Sequence, residues 1–183
     1  MIGRIQKLKN KKGFTLVELI VVIAIIAVLT AVIVPLIARY SAQAQYTTLQ
    51  DAAQTISNSA NNAMSDANQK GVVSATEISG TKSSGAFTVT VGTETCSADP
   101  AGTYSTNANA RAAEKLWESL NTTLPSDCAF YIKVYASAVS GVIYTTDTGV
   151  TPADGLTIDE VTGFDNAYEV GGIAVGVSGS YIP

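Results

Sequence analysis

The chain has 183 residues, 46% of them hydrophobic, with two cysteines and no histidine. That length suits one folded domain plus an added segment, and the lack of histidine removes Ser-His-Asp and Cys-His catalysis and argues against a zinc site. Charge is uneven: residues 1–13 hold Arg4, Lys7, Lys9, Lys11 and Lys12 and no acid, while residues 14–183 hold 6 cations against 15 acids, so a +5 leader precedes a −9 body. An acidic body repels phosphate backbones at long range, so no nucleic-acid partner is expected. A short lysine-rich flank ahead of an apolar run is a topology signal that stays on the cytoplasmic side.

From Phe14 to Ile37 the one charged residue is Glu18, and Val, Ile, Leu and Ala dominate. As a helix these 24 positions span roughly 36 Å, enough for a hydrocarbon core of about 30 Å. The stretch is too long for an ordinary secretory signal and leads into an amphipathic continuation; a simple signal anchor is the plain alternative. Glu18 is costly in such a segment, about 2.5–3.5 kcal/mol at a bilayer centre and less near the interface, and intramembrane acids are functional candidates by default. Pro35 should bend the helix, because it lacks a backbone donor and clashes with the carbonyl four residues back.

Periodicity persists through residues 38–70. Ala38, Ala42, Tyr46, Leu49, Ala53, Ile56, Ala60, Ala63 and Ala67 recur at spacings of three or four, with glutamines and asparagines elsewhere on the wheel. One helix from 14 to about 68 is predicted, ending before Gly71, with its second half apolar on one side.

Residues 71–183 read as a β-rich head. "GTKSSG" reads as loop, "AFTVTVGTE" as a strand alternating Phe87, Val89 and Val91 with threonines, and "ARAAEKLWESL" as a short helix with Ala112, Leu116, Trp117 and Leu120 on one face. "AFYIKVYA" alternates again, a loop at Ser140-Gly141 leads to the hairpin partner "VIYTT", and a last strand lies near Ile173 to Val177 after a glycine- and aspartate-rich connection from Asp147 to Asp165. The expected fold is α+β, one long helix on an antiparallel sheet of about four strands.

In an exported body Cys96 and Cys128 are expected to form a disulfide enclosing the short helix, worth about 3–4 kcal/mol; free thiols and a metal pair are the alternatives. The acids Asp147, Asp154, Asp159, Glu160, Asp165 and Glu169 lack calcium-loop spacing and read as solvated loop acids rather than calcium ligands or a glycosidase pair. No catalytic residue, metal or cofactor is expected, and strand packing accounts for the eight tyrosines.

A basic leader ending in Gly13, then Phe14, then Thr-Leu-Val-Glu and a long aliphatic run resembles the class III signal of type IV pilins and related pseudopilins. The match covers about the first quarter of the chain. The resemblance implies that a prepilin peptidase cuts after Gly13, leaving a leader of residues 1–13, and methylates the amine of Phe14. It makes Glu18 the fifth mature residue, matches Pro35 to the family's helix-bending proline, and implies a pilin fold. Many members have a mid-segment glycine where this chain has Ala27, and the family's disulfide near the C-terminus is not matched, since 55 residues follow Cys128. Inside a fibre of packed apolar helices, the amine of a neighbour's Phe14 would compensate Glu18 and set subunit register. The implied function is a structural subunit, not an enzyme, of a surface fibre on a bacterial cell. Its partners would be further copies of itself, the peptidase, an inner-membrane assembly platform and an ATPase motor. A pseudopilin of a secretion or DNA-uptake system is the rival within the resemblance, and a membrane-anchored extracellular binding module the rival outside it.

Overall fold

The computed structural model describes residues 13–125, 127–147, 150–153, 155–179 and 181; residues 1–12 of the leader and Asp154 lie outside them. Helix α1 runs Leu16–Asn68. By its contacts the chain divides into two compact units, Met1–Ser41 and Ala42–Pro183, and the buried cores belong to the second.

Within that second unit α1 buries Leu49, Ala53, Ile56, Ala60, Ala63 and Ala67 of the predicted stripe, together with Ser57 and Met64, while Ala42 and Tyr46 are half-buried; Ala38, in the first unit, is exposed. Alanines dominate the stripe, so the helix axis can come close to the sheet. The closest approach is at Gly176, where an added Cβ would collide with the Leu49 carbonyl. After Asn68 the chain turns: Lys70 N and Gly71 N both donate to Ala67 O, at 2.9 and 3.2 Å.

The sheet has eight antiparallel strands rather than four: β1 Glu77–Ser83, β2 Ala86–Val91, β3 Glu94–Cys96, β4 Cys128–Tyr135, β5 Ala138–Thr145, β6 Asp159–Glu160, β7 Tyr168–Val170 and β8 Ile173–Gly179. Their order is β3-β2-β1-β4-β5-β8-β7-β6. The "GTKSSG" stretch read as loop is mostly β1, and the hairpin between β4 and β5 turns at Ala136 and Ser137, both at positive φ, not at Ser140-Gly141. Phe130, Ile132 and Val134 alternate along β4 and are buried together in the main core, and the register with β5 shifts at Lys133/Val134.

Helix α2, Ala108–Asn121, lies between β3 and β4 in sequence. Asn107 caps it, accepting from Asn109 N and Ala110 N at 2.9 and 3.1 Å, a short polar side chain satisfying amides that have no helical partner. Its predicted face of Ala112, Leu116, Trp117 and Leu120 is buried. Trp117 donates its indole N–H to Phe87 O at 2.8 Å, and Phe87 packs between Trp117 and Phe130. Phe130 in turn occupies the space over Gly80, where a Cβ would strike its ring.

A second, smaller core lies under the long connection. Ile143, Tyr168, Val170, Val175 and Val177 are covered by Val150, Leu156, Ile158 and Tyr181. The connection read from the sequence as a solvated loop thus supplies its few aliphatic residues as a lid.

The expected disulfide is corrected. Cys96 and Cys128 are buried free thiols. Cys96 is opposite Val89 on β2 and Cys128 opposite Lys82 on β1, and the strand order separates β3 from β4 by β2 and β1. Three strand spacings amount to about 14 Å, twice the Cα separation that a disulfide spans. Cys96 Sγ donates instead to Ala98 O at 3.2 Å, and burial pushes both thiols up from their ordinary pKa.

Candidate functional site: the N-terminal segment

The first unit contains the motif. Gly13 has nothing within 4 Å of where a Cβ would stand, and Phe14 is 92% exposed, so the peptide between them is open to another molecule. Thr15 stands immediately before α1 and accepts the first backbone bond of the helix, Leu19 N to Thr15 O at 3.2 Å. Its side chain and that of Glu18 satisfy each other's amides. Thr15 N and Thr15 Oγ1 each donate to Glu18 Oε2 at 2.8 Å, and Glu18 N donates to Thr15 Oγ1 at 3.2 Å. This is a capping box, which the sequence announces as Thr-x-x-Glu and which the reading of Glu18 as a lone intramembrane acid overlooked. Thr15 is therefore a site residue in its own right.

Beyond Glu18 every large apolar side chain from Leu19 to Ile37 is exposed. The helix is long and apolar enough to cross a membrane, and none of its most apolar window is buried. Thr30, the polar residue in this run, returns its hydroxyl to Ile26 O at 2.7 Å and so presents no unsatisfied donor. Pro35 sits inside the helix, where its missing N–H leaves the carbonyl of Ala31 without the usual partner. Gly13, Phe14, Glu18 and Pro35 thus lie along one segment, with Thr15 and Glu18 brought into contact; Cys96 and Cys128 belong to the head and are apart from each other.

The acids of the head are engaged locally or exposed. Glu169 Oε1 accepts from Tyr46 OH at 2.5 Å, and this hydrogen bond, followed by burial, pushes the Tyr46 phenol up to about 12. The backbone of Asp165 is held from both sides by Gln43, whose Nε2 donates to Asp165 O at 2.8 Å while its Oε1 accepts from Asp165 N at 3.0 Å. Gln50 does the same to Val177, accepting from its N at 3.0 Å and donating to its O. Asp159 and Glu160 are exposed on β6, and among the described residues no three acids or cysteines come together as metal ligands.

No curated protein and no solved structure matches the chain. Residues 8–34 match the prokaryotic N-terminal methylation motif. That motif, with a long N-terminal apolar helix and an α+β fold built on an antiparallel sheet, fits a type IV pilin-like chain.

Proposed function

We propose that the chain is the structural subunit of a type IV pilus-like surface fibre, assembled through its N-terminal apolar helix. The observation that carries this reading is the combination of the methylation motif with a helix whose large apolar side chains, Leu16 to Ile37, all stand exposed. Such a face is stable in lipid or against copies of itself, and a subunit that passes from one to the other needs both. A prepilin peptidase cuts after Gly13 and methylates the Phe14 amine; an inner-membrane platform and its ATPase motor then draw processed subunits out of the bilayer. Glu18 meets the amine of a neighbour's Phe14, and the two charges fix the register of otherwise non-directional apolar helices. The head remains outside, at the bacterial cell surface.

Intact mass of the protein in sheared surface material tests this. The expected mass is that of a chain beginning at methylated Phe14. A chain that retains residues 1–13, or that stays wholly in the membrane fraction, overturns the fibre reading.

A further inference from the structure

The peptide to be cut lies immediately ahead of a helix start. Gly13, Phe14 and Thr15 are non-helical, and α1 begins at Leu16. A peptide inside a helix has its N–H and C=O turned into its own turns, whereas an extended one offers both to an enzyme cleft. Where the helix begins therefore decides whether the Gly13–Phe14 bond can be reached. Composition alone does not set that point, because phenylalanine and lysine are accepted in helices and a single glycine only lowers the propensity.

The side chain of Thr15 sets it. Its Oγ1 accepts from Glu18 N at 3.2 Å and donates to Glu18 Oε2 at 2.8 Å, while Thr15 N donates to the same carboxylate oxygen at 2.8 Å. A helix extended back through Phe14 would need Thr15 N for a carbonyl of the preceding turn, and that proton is already given to Glu18. The hydroxyl serves as both donor and acceptor within the chain, so it is spent on the helix end.

We infer that Thr15 is a positioning residue for processing: as N-cap it stops α1 short of Phe14 and keeps the Gly13–Phe14 peptide extended for the prepilin peptidase. The inference rests on the processing step of the fibre reading and deepens it. Once the helix is stopped nothing else among the described residues shields the bond, since Phe14 is 92% exposed and the space beside Gly13 is open. The cut is a hydrolysis. Water gives its hydroxyl to the Gly13 carbonyl carbon and a proton to Phe14 N as the bond between them breaks. Thr15 touches neither the carbonyl nor the water, and acts through the chain direction it imposes. The bond it accepts comes from the backbone of residue 18, so the cap outlasts loss of the Glu18 carboxylate. Cleavage accordingly depends on Thr15 rather than on Glu18.

The test is the initial rate at which the peptidase removes residues 1–13 from the full-length precursor in membranes, read by mass at equal amounts of inserted chain. Thr15→Ser and Thr15→Asn put other capping side chains at the position, and their rates are expected to lie within about twofold of the unaltered chain. Thr15→Val keeps the shape of threonine without the hydroxyl, and it and Thr15→Ala are expected to be cut about fivefold more slowly. This order separates a cap from direct recognition, because a peptidase pocket shaped to threonine would accept valine and refuse asparagine. Valine cut as fast as threonine, or asparagine cut as slowly as valine, overturns the positioning role, while cleavage of the unaltered chain after Gly13 leaves the processing step standing. Failure of the peptidase to cut the unaltered chain overturns both.

Discussion

The two units of the chain solve opposite problems. In the head, α1, α2 and the 150–158 connection cover both faces of the sheet, and its largest side chains, among them Phe130, Tyr144 and Ile56, are almost without exposure. In the N-terminal unit no residue from Gly13 to Ser41 is buried. Apolar area left exposed at about 25 cal/mol per Å² cannot stay in water, so the first unit finishes folding only in contact with other molecules, whereas the second is satisfied by its own residues. The comparison teaches where to look for each role: substitutions in the first unit should change association and spare the head, and substitutions in the second should do the reverse.

The largest effect expected is at Glu18. Glu18→Ala should leave cleavage and membrane insertion intact and abolish fibres or nearly so, measured as fibre yield at equal processed subunit. Because Glu18 also completes the capping box, alanine removes a helix cap as well, at a cost of about 1 kcal/mol. Glu18→Gln separates the two: glutamine can still cap through its side-chain oxygen but has no charge, so continued loss of fibres from this variant assigns the effect to the charge. Normal yield from both variants would show the carboxylate to be incidental.

Next is Gly176→Val in the head. Its Cβ would enter the Leu49–Gln50 backbone, and overpacking that cannot be relieved by a rotamer costs about 3 kcal/mol or more, seen as a lower melting temperature or as loss of exported protein. Membrane insertion of the apolar segment should be unaffected. An unchanged melting temperature would mean that α1 and β8 are not in backbone contact.

The cysteines give a smaller effect. The unreduced native protein should resist alkylation, and denaturant alone, without reductant, should expose two reactive thiols. Cys96→Ala should then cost about 1 kcal/mol from lost packing, rather than the 3–4 kcal/mol that a cross-link over this loop would contribute. A requirement for reductant before alkylation would restore the disulfide.

The smallest effect is at Tyr46. Its phenol titrates at 10.0 when unperturbed and is pushed up to about 12 in the fold, so the unfolded chain loses its proton first and stability falls as pH rises from 10 towards 12. Burial pushes Tyr144 up as well and adds to the same alkaline loss. Tyr46→Phe should cost about 1 kcal/mol near neutrality and flatten part of that slope; an identical pH profile would show the bond to Glu169 to be absent in solution.

Much of this was legible from residue patterns. The Leu49 to Ala67 stripe, the alternation of Phe87, Val89 and Val91, that of Phe130, Ile132 and Val134, and the Leu116–Trp117–Leu120 face all occupy the core as their periods predict. What escaped did so for physical reasons. β1 presents Ile78, Gly80 and Lys82 to the core side, which reads as loop until Phe130 is seen filling the place over Gly80 and the Lys82 ammonium is seen capping the carbonyls at the end of α2. β3, β6 and β7 are two or three residues long and rest on pairing with neighbours rather than on any period of their own. Export alone predicts a disulfide but says nothing of strand order, and in the sheet β1 and β2 lie between the strands that hold Cys96 and Cys128. At the N-terminus, Thr-x-x-Glu is legible as a capping box from the sequence itself, and the local bonds of Thr15 to Glu18 are what that pattern predicts.

The glutamine contacts of α1 have a mechanical consequence. Gln43 and Gln50 each grip a backbone amide and carbonyl of the head with both ends of their own amide, and Gln54 reaches Ser178 a few residues further on. With Gly176 seated on the Leu49–Gln50 peptide, the helix rests on β8 without an intervening side chain to act as a roller. A pull along the part of α1 within the second unit would therefore strain several amide pairs at once rather than one after another.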